Sequence, residues 1–452
     1  MLGVGSTYFT KGIVESIVRR GGEWDLRMVD IDAECLEIAV LLGRKIVARH
    51  NAAVKITGSV DRREVLGGAD AVVSTIGVGG RRAWEQDVFM FREFNIYQST
   101  GDTFGAGGIS RALRTIPVLL EVAADMERLC PGALLVNFTN PMSVNCWALN
   151  KHSKIKTIGL CYGATFFQHY LAGLIGAPFE ETWSKAVGVN HFTWITEFTH
   201  NGRDAWPRVR EALAADPSRR ADNPFTWELF DTFGAFPTVG DGHICEFMPP
   251  LLGKGAYYGK TFGVDAGDFA GYAKHWDNVF ADMADQAYGR KPLELQPEPE
   301  PGKANTFRDE TLFTDILLAA LCNGAPVERT VNLPNNGVVP NLPNDAVLEM
   351  TTLVNASGFH PYNHGVLPAG LNAILQRVTS SHALTVEASV SGDRNLVIQA
   401  LLADSVAPTR AVADKIADKI FQTHKAHFFN KPTSLGCETK KTAPARITTP
   451  GG

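Results

Sequence analysis

Hydrophobic positions along the first third of the chain switch repeatedly between helical and extended spacing. Ile13, Val14, Ile17 and Val18 recur with a helical period. Leu26-Arg27-Met28-Val29 then reads as a short strand ending at Asp30, residues 33–47 as a helix, 54–56 as a strand and 62–66 as a short helix. Residues 71–76, Ala-Val-Val-Ser-Thr-Ile, predict a buried strand running into Gly77, Gly79 and Gly80. A long amphipathic helix over 112–130 and apolar strands over 133–138 and 155–160 continue the alternation. Strands alternating with helices predict a mostly parallel sheet with right-handed crossovers.

Past Gly163 the rhythm changes. Residues 187–198 read as strand or irregular structure, 224–258 are rich in aromatics, Gly and Pro, and 295–302 read as an exposed Pro-rich loop. Helical periodicity returns over 311–321 and 368–406, and the tail after Asn430 has no pattern and is expected to be loosely held. The fold class is therefore α/β: a Rossmann-type parallel-sheet domain over 1–163 and a mixed α/β (α+β) domain over 164–452, without a sharp linker.

Composition narrows the function. A chain of 452 residues exceeds one ordinary core, which supports two domains. With 45% hydrophobic and 20% charged residues and a formal net charge of -5, it offers no overall field for nucleic acid or an anionic membrane. No apolar run approaches the roughly 20 residues that span a bilayer. No basic stretch leads an apolar signal core, so a cytoplasmic enzyme is expected. The 7 cysteines are scattered; Cys35, Cys130, Cys146 and Cys322 read as reduced, buried thiols.

Gly3-Val4-Gly5-Ser6, followed by a helical repeat, suits a dinucleotide cradle, in which glycines let backbone N–H groups approach a pyrophosphate. Tyr8 stands where the third glycine is usual. Asp30 ends the second strand at about the distance of a ribose-binding acid, which favours NAD over NADP. Ile76 and Gly77, at the end of the next strand, belong to the same expected cofactor site. Only Met1 and Leu2 precede Gly3, so the true start is expected to lie upstream. Asn137-Phe138-Thr139-Asn140-Pro141-Met142 follows a strand, and the Asn140 amide suits a ribose or sugar hydroxyl. Cys161, with Tyr162 beside it, and His191 in Gly188-Val189-Asn190-His191 are borderline ligands for a divalent metal. A packed thiol and a hydrogen-bonded imidazole remain the plain alternative for that pair.

The order of these motifs resembles glycoside hydrolase family 4 or a closely related NAD-dependent glycosidase family, such as the sulfoquinovosidases. The similarity takes in Gly101-Asp102-Thr103-Phe104-Gly105-Ala106-Gly107-Gly108, Asn-Pro-Met, Cys-x-Gly, Val-Asn-His, Gly242-His243-Ile244-Cys245-Glu246-Phe247, Asn336-Gly337 through Asn341-Leu342-Pro343, and His360-Pro361. It implies glycoside hydrolysis by a redox detour, outside the usual two-carboxylate scheme. NAD takes hydride from sugar carbon 3, a base removes the carbon 2 proton, the leaving group is eliminated, water adds and the hydride returns. The resemblance also implies Mn2+ held by Cys161 and His191, sugar contacts from Asp102, Asn140, His191 and His243, and Tyr258 or its neighbour Tyr257 as the base. Tyr162 departs from the Asp, His or Asn usual after the ligand cysteine, and Trp84 replaces an arginine common in phosphate-binding members. Arg81 and Arg82 beside the glycine loop suit an anionic sugar such as a sulfoquinovoside or uronide, with an α-galactoside or α-glucoside as the neutral case. The expected partners are a small-molecule glycoside and a second copy of the chain, in a dimer or tetramer. The competing readings are an NAD-dependent sugar or 2-hydroxy-acid dehydrogenase, since fold alone does not settle function, and a non-catalytic NAD-dependent sugar sensor.

Overall fold

The computed structural model describes residues 1–255, 269–295 and 310–428. Tyr257, Tyr258, nearly all of the Pro-rich loop and the tail after Asn430 lie outside them.

The first half builds a parallel sheet from β1 (Trp24–Val29), β2 (Val54–Ser59), β3 (Ala71–Ser74), β4 (Leu134–Asn137) and β5 (Thr157–Leu160). β1 pairs with β2, β3 with β4 and β4 with β5. Leu2 fills the gap between the two groups through parallel bridges to Val29 and Ser74. Its N–H donates to Val73 at 2.8 Å and its carbonyl accepts from Thr75 at 2.9 Å. The strand expected ahead of Gly3 is here a two-residue step. The spatial order β2-β1-Leu2-β3-β4-β5 is that of a dinucleotide-binding sheet.

The second half adds β6 (Thr182–Val189), β7 (Phe192–His200), β8 (Arg203–Asp204), β9 (Phe236–Pro237), β10 (Val327–Pro334), β11 (Val347–Asn355) and β12 (Gly358–Pro361). These do not form a separate sheet. β10 pairs antiparallel with β5, Val331 opposite Leu160, and the order runs on through β11, β6, β7 and β8. The expectation of a mostly parallel sheet therefore holds for the first five strands only. One apolar core crosses the sheet's whole width, from Met28 and Ile38 through Val136 and Ile158 to Val189, Trp194, Phe247 and Met350.

The sequence placed a helix at 112–130, but it starts at Gly105 and runs to Leu129. Its first turn is glycine-rich for packing. A Cβ on Gly107 would stand 2.6 Å from the Gly101 carbonyl, and one on Gly108 2.5 Å from the Thr103 carbonyl carbon. Without side chains there, residues 98–104 lie directly on the helix. Gln98 secures them, donating to Phe104 O at 2.9 Å and accepting from Gly107 N–H at 2.7 Å.

Other departures have equally local causes. The helical pattern over 368–406 breaks at Gly392, φ +72, into helices Ala369–Ser391 and Arg394–Ala403. The 187–198 stretch is a hairpin arm, and a helix, Pro224–Phe233, occupies part of the aromatic segment. Cys322 is exposed, not buried, because it follows the end of helix Glu310–Leu321. No helix among the described residues is long and apolar enough to cross a membrane.

Candidate active site

The glycine segment forms a tight cradle. Gly3 sits at φ +84, and a Cβ there would lie 2.9 Å from both Cα and N of Ile76, so only glycine fits. A Cβ on Gly5 would meet Asp30 Oδ2 and Cys35 Cβ at 3.0 Å. Asp30 braces the loop, accepting Gly5 N–H on Oδ2 at 2.7 Å and Asp32 N–H on Oδ1 at 3.1 Å. Burial raises its pKa, and those N–H donors partly offset the rise. Ser6 Oγ accepts Phe9 N–H at 3.3 Å just ahead of helix Thr10–Arg20. Ile76 and Gly77 close the other side, where Gly77 O receives Gly80 N–H at 2.8 Å.

A second cluster gathers where the loop lying on helix Gly105–Leu129 meets the turn between β6 and β7 and the short helix Asp241–Ile244. Ligand-type atoms of Asp102, His191 and His243 converge within 4.8 Å of one another, a set able to hold a metal ion. Asp102 Oδ1 accepts from Thr103 Oγ1 at 2.6 Å and Oδ2 from Asn140 Nδ2 at 2.9 Å. His191 Nδ1 lies 2.8 Å from Thr103 Oγ1, and His243 Nδ1 3.2 Å from Thr100 Oγ1. The two imidazole rings stand 4.1 Å apart between centroids. Burial, with His243 close by, takes the His191 pKa down to about 3, and burial lowers that of His243. Both rings are therefore neutral at pH 7, the form that ligates metal. Burial opposes ionisation of Asp102, but its basic neighbours His243, His191 and Arg111 outweigh it and hold the carboxyl below its ordinary range.

His191 occupies the turn between β6 and β7 at φ +66. A buried network fixes that turn: Asn190 Nδ2 donates to Glu349 Oε2 at 3.0 Å, and Asn190 N–H to Ser143 Oγ at 2.9 Å. Ser143 Oγ donates in turn to Asn332 Oδ1 at 2.9 Å. Ser143 lies three residues past Asn140, so the same network ties both site residues to β10 and β11.

Asn140 follows β4, as expected, and its Oδ1 is buried without a hydrogen-bond partner among the described residues. Its carbonyl accepts Arg111 Nε at 3.0 Å. The terminal nitrogens of Arg111 make no hydrogen bond to the described residues, and the side chain is half-buried. Its guanidinium carbon stands 5.5 Å from the Trp84 ring centre. Arg81 and Arg82 differ, being engaged with Asp277 and Glu85 respectively.

Cys161 follows β5 and is half-buried, its sulfur 3.5 Å from Gly163 N. It is not among the three convergent ligands. Tyr162 precedes helix Gly163–Leu174, its hydroxyl 3.4 Å from that of Tyr8. Sequence reasoning gave Asp102 and His243 sugar-binding duty and did not join them to His191 as ligands. It singled out none of Thr100, Thr103, Arg111 and Glu246, though Thr103 and Glu246 lay within quoted motifs.

A Rossmann-type sheet carrying a glycine cradle and a centre of two neutral histidines and one ionised aspartate suits an α/β enzyme. Residues 1–176 match the sequence profile of family 4 glycosyl hydrolases, and residues 186–407 that of the family 4 glycosyl hydrolase C-terminal domain. The chain belongs to family 4 of the glycosyl hydrolases and is a glycosidase. It is 27% identical to an α-galactosidase of Bacillus subtilis (strain 168), over 89% of this chain and 91% of that protein. An α-galacturonidase of the same strain is 30% identical, over 80% of this chain and 82% of its own length. A 6-phospho-α-glucosidase from gut microorganisms, solved with NAD and glucose-6-phosphate, superposes with a TM-score of 0.80 at 20% identity, covering 94% and 98% of the two chains. That last likeness is one of fold.

Proposed function

We propose that this glycosidase depends on NAD and Mn2+ and acts on an α-glycoside of an anionic sugar, a uronide before a sulfoquinovoside. The observation that carries the reading is Asn140: its Nδ2 is committed to Asp102 while its buried Oδ1 waits for a donor, as a ligand hydroxyl would supply.

The dinucleotide fits the cradle, since Gly3 and Gly5 leave backbone where any larger residue would stand. Asp30, just past β1, is assigned a ribose hydroxyl, with Ser6, Ile76, Gly77 and Asn140 as the further cofactor contacts. Mn2+ fits a set of one carboxylate and two neutral imidazoles that leaves positions for sugar oxygens and water. Cys161 is a further candidate ligand.

When bound, NAD supplies a reversible hydride acceptor for sugar carbon 3 and Mn2+ polarises the oxygens on carbons 2 and 3. Asn140 and Asp102 orient the sugar against both. Tyr162 is assigned the proton for the leaving group, and Tyr258 remains the candidate base for the carbon 2 proton. Arg111, whose terminal nitrogens make no hydrogen bond to the described residues, supplies a fork for a carboxylate beside Asn140.

The test is a pair of nitrophenyl substrates, α-galacturonide and α-galactoside, assayed with NAD+ and Mn2+. The uronide is expected to be preferred. Arg111→Met should lower that preference about 10- to 100-fold, corresponding to the ~1.5–3 kcal/mol of a hydrogen bond to a charged group. Equal losses on both substrates, or no preference in the unaltered enzyme, would sink the anionic reading.

A further inference from the structure

We infer that two threonine–carboxylate pairs fix the tautomer of both site histidines, with Glu246, Thr100 and Thr103 as positioning residues that leave each Nε2 bare. Hydrogen-bond polarity sets each tautomer. A threonine hydroxyl has a single hydrogen to give, and a carboxylate can only accept.

Thr103 Oγ1 lies 2.6 Å from Asp102 Oδ1 and 2.8 Å from His191 Nδ1. Its hydrogen goes to the carboxylate, so the second contact requires His191 to carry hydrogen on Nδ1. Around His243 the arrangement repeats. Thr100 Oγ1 lies 2.9 Å from Glu246 Oε2 and 3.2 Å from His243 Nδ1. Glu246 Oε1 meanwhile accepts the N–H groups of Gly101 at 2.7 Å and Thr100 at 2.8 Å. These donors, with Ser99 Oγ also 3.5 Å from Oε1, converge on a fully buried carboxylate, and the glycine-rich helix start described above holds Thr100 and Thr103 at these positions. With hydrogen on both Nδ1 atoms, both Nε2 lone pairs remain for a metal ion or a substrate proton. Burying a glutamate costs stability unless hydrogen bonds offset it, and those of Glu246 go to the backbone and hydroxyl that hold Thr100 against His243.

Glu246→Gln discriminates sharply, because it reverses the relay without changing its shape. The amide oxygen keeps the two backbone N–H groups, and the NH2 faces Thr100. Thr100 then gives its hydrogen to His243 Nδ1, which moves the imidazole hydrogen to Nε2 and blocks that nitrogen.

The experiment uses the full chain with 15N-labelled imidazoles and no metal or cofactor, at pH 8. Burial lifts the Glu246 pKa to about 7, so it is ionised there. Long-range proton–nitrogen spectra report which nitrogen is protonated, and His243→Asn and His191→Asn assign the two signals among the 12 histidines. Both should carry hydrogen on Nδ1. In Glu246→Gln, His243 should switch to Nε2 while His191 stays unchanged; Thr100→Ser should keep the original tautomer. An Nε2 hydrogen in the unaltered protein, or an unchanged His243 in Glu246→Gln, overturns the inference.

A second readout rests on the metal assignment proposed above. Titration followed by the electron spin resonance of free Mn2+ should show at least about 10-fold weaker binding in Glu246→Gln and Thr100→Val, with Thr100→Ser within about threefold of the original. Uptake of no Mn2+ by the unaltered protein would count against the metal assignment alone, since the tautomers are read without metal.

Discussion

At Gly3 one missing side chain lets the glycine segment lie directly on the Ile76 backbone. Its φ of +84 and the Ile76 backbone 2.9 Å from the absent Cβ oppose any substitution. Gly3→Ala imposes ~1–3 kcal/mol of local strain and displaces Ile76 from the cradle. NAD+ affinity by calorimetry should fall at least about 10-fold, whereas unchanged affinity would mean the loop is not where the dinucleotide binds. The positions of Asp30 and Asn140 were legible because each follows a strand that the hydrophobic pattern defines, whereas Gly3 was read from the Gly-x-Gly-Ser segment ahead of a helical repeat. The Asp102–His191–His243 centre was only partly so. Thr103 meets His191 across 88 positions and Thr100 meets His243 across 143, and no local period carries such a convergence. Arg81 and Arg82 show the opposite case: their charge is visible in sequence, whereas the pairing of Arg81 with Asp277, 196 positions away, is not. Arg111 lies in a helix start whose glycines hide the helical period.

Elements were read well where apolar spacing is regular and poorly where glycine or a cap sets the boundary. β1, β3, β4, β5 and the helices at 10–20 and 33–50 follow directly from apolar spacing. The helix over 80–89 was missed because Gly79 and Gly80, both at positive φ, resemble a loop. The split at Gly392 was missed because the apolar pattern runs through it. Asp404, which closes helix Arg394–Ala403, gives this part of the chain a pH signature. Its carboxyl accepts Val406 N–H at 2.8 Å on one oxygen, while Oδ2 is buried without a partner among the described residues. Burial raises its pKa to about 8, against about 3.9 in an unfolded chain. The folded protein keeps a proton that the unfolded chain has released. The contribution is therefore full below about pH 4 and is lost as pH rises to about 8. Asp404→Asn stays uncharged throughout, so its Tm should fall less steeply between pH 5 and 8 than that of the unaltered protein. Parallel Tm profiles would show that Asp404 ionises freely in the fold.

Across the whole molecule, the two halves seen in sequence share one sheet, because β10 returns from the second half to pair with β5. That return cannot be read from periodicity, since a strand's pattern says which faces are buried and not which neighbour it takes. The consequence is functional. The parallel half carries the cradle and Asn140, the antiparallel half carries His191, and the buried Glu349–Asn190–Ser143–Asn332 network joins them. A dehydrogenase and a cofactor-restoring glycosidase can share such a scaffold, and they differ in where the hydride ends. The decisive measurement is the proton NMR spectrum of the sugar released from a nitrophenyl α-galacturonide in deuterium oxide, with Mn2+ present and NAD+ at a small fraction of the substrate. A glycosidase that restores its cofactor gives many turnovers per NAD+ and deuterium at carbon 2 of the product. Turnover that stops at one equivalent of NAD+, or a product that keeps its carbon 2 hydrogen, would contradict it.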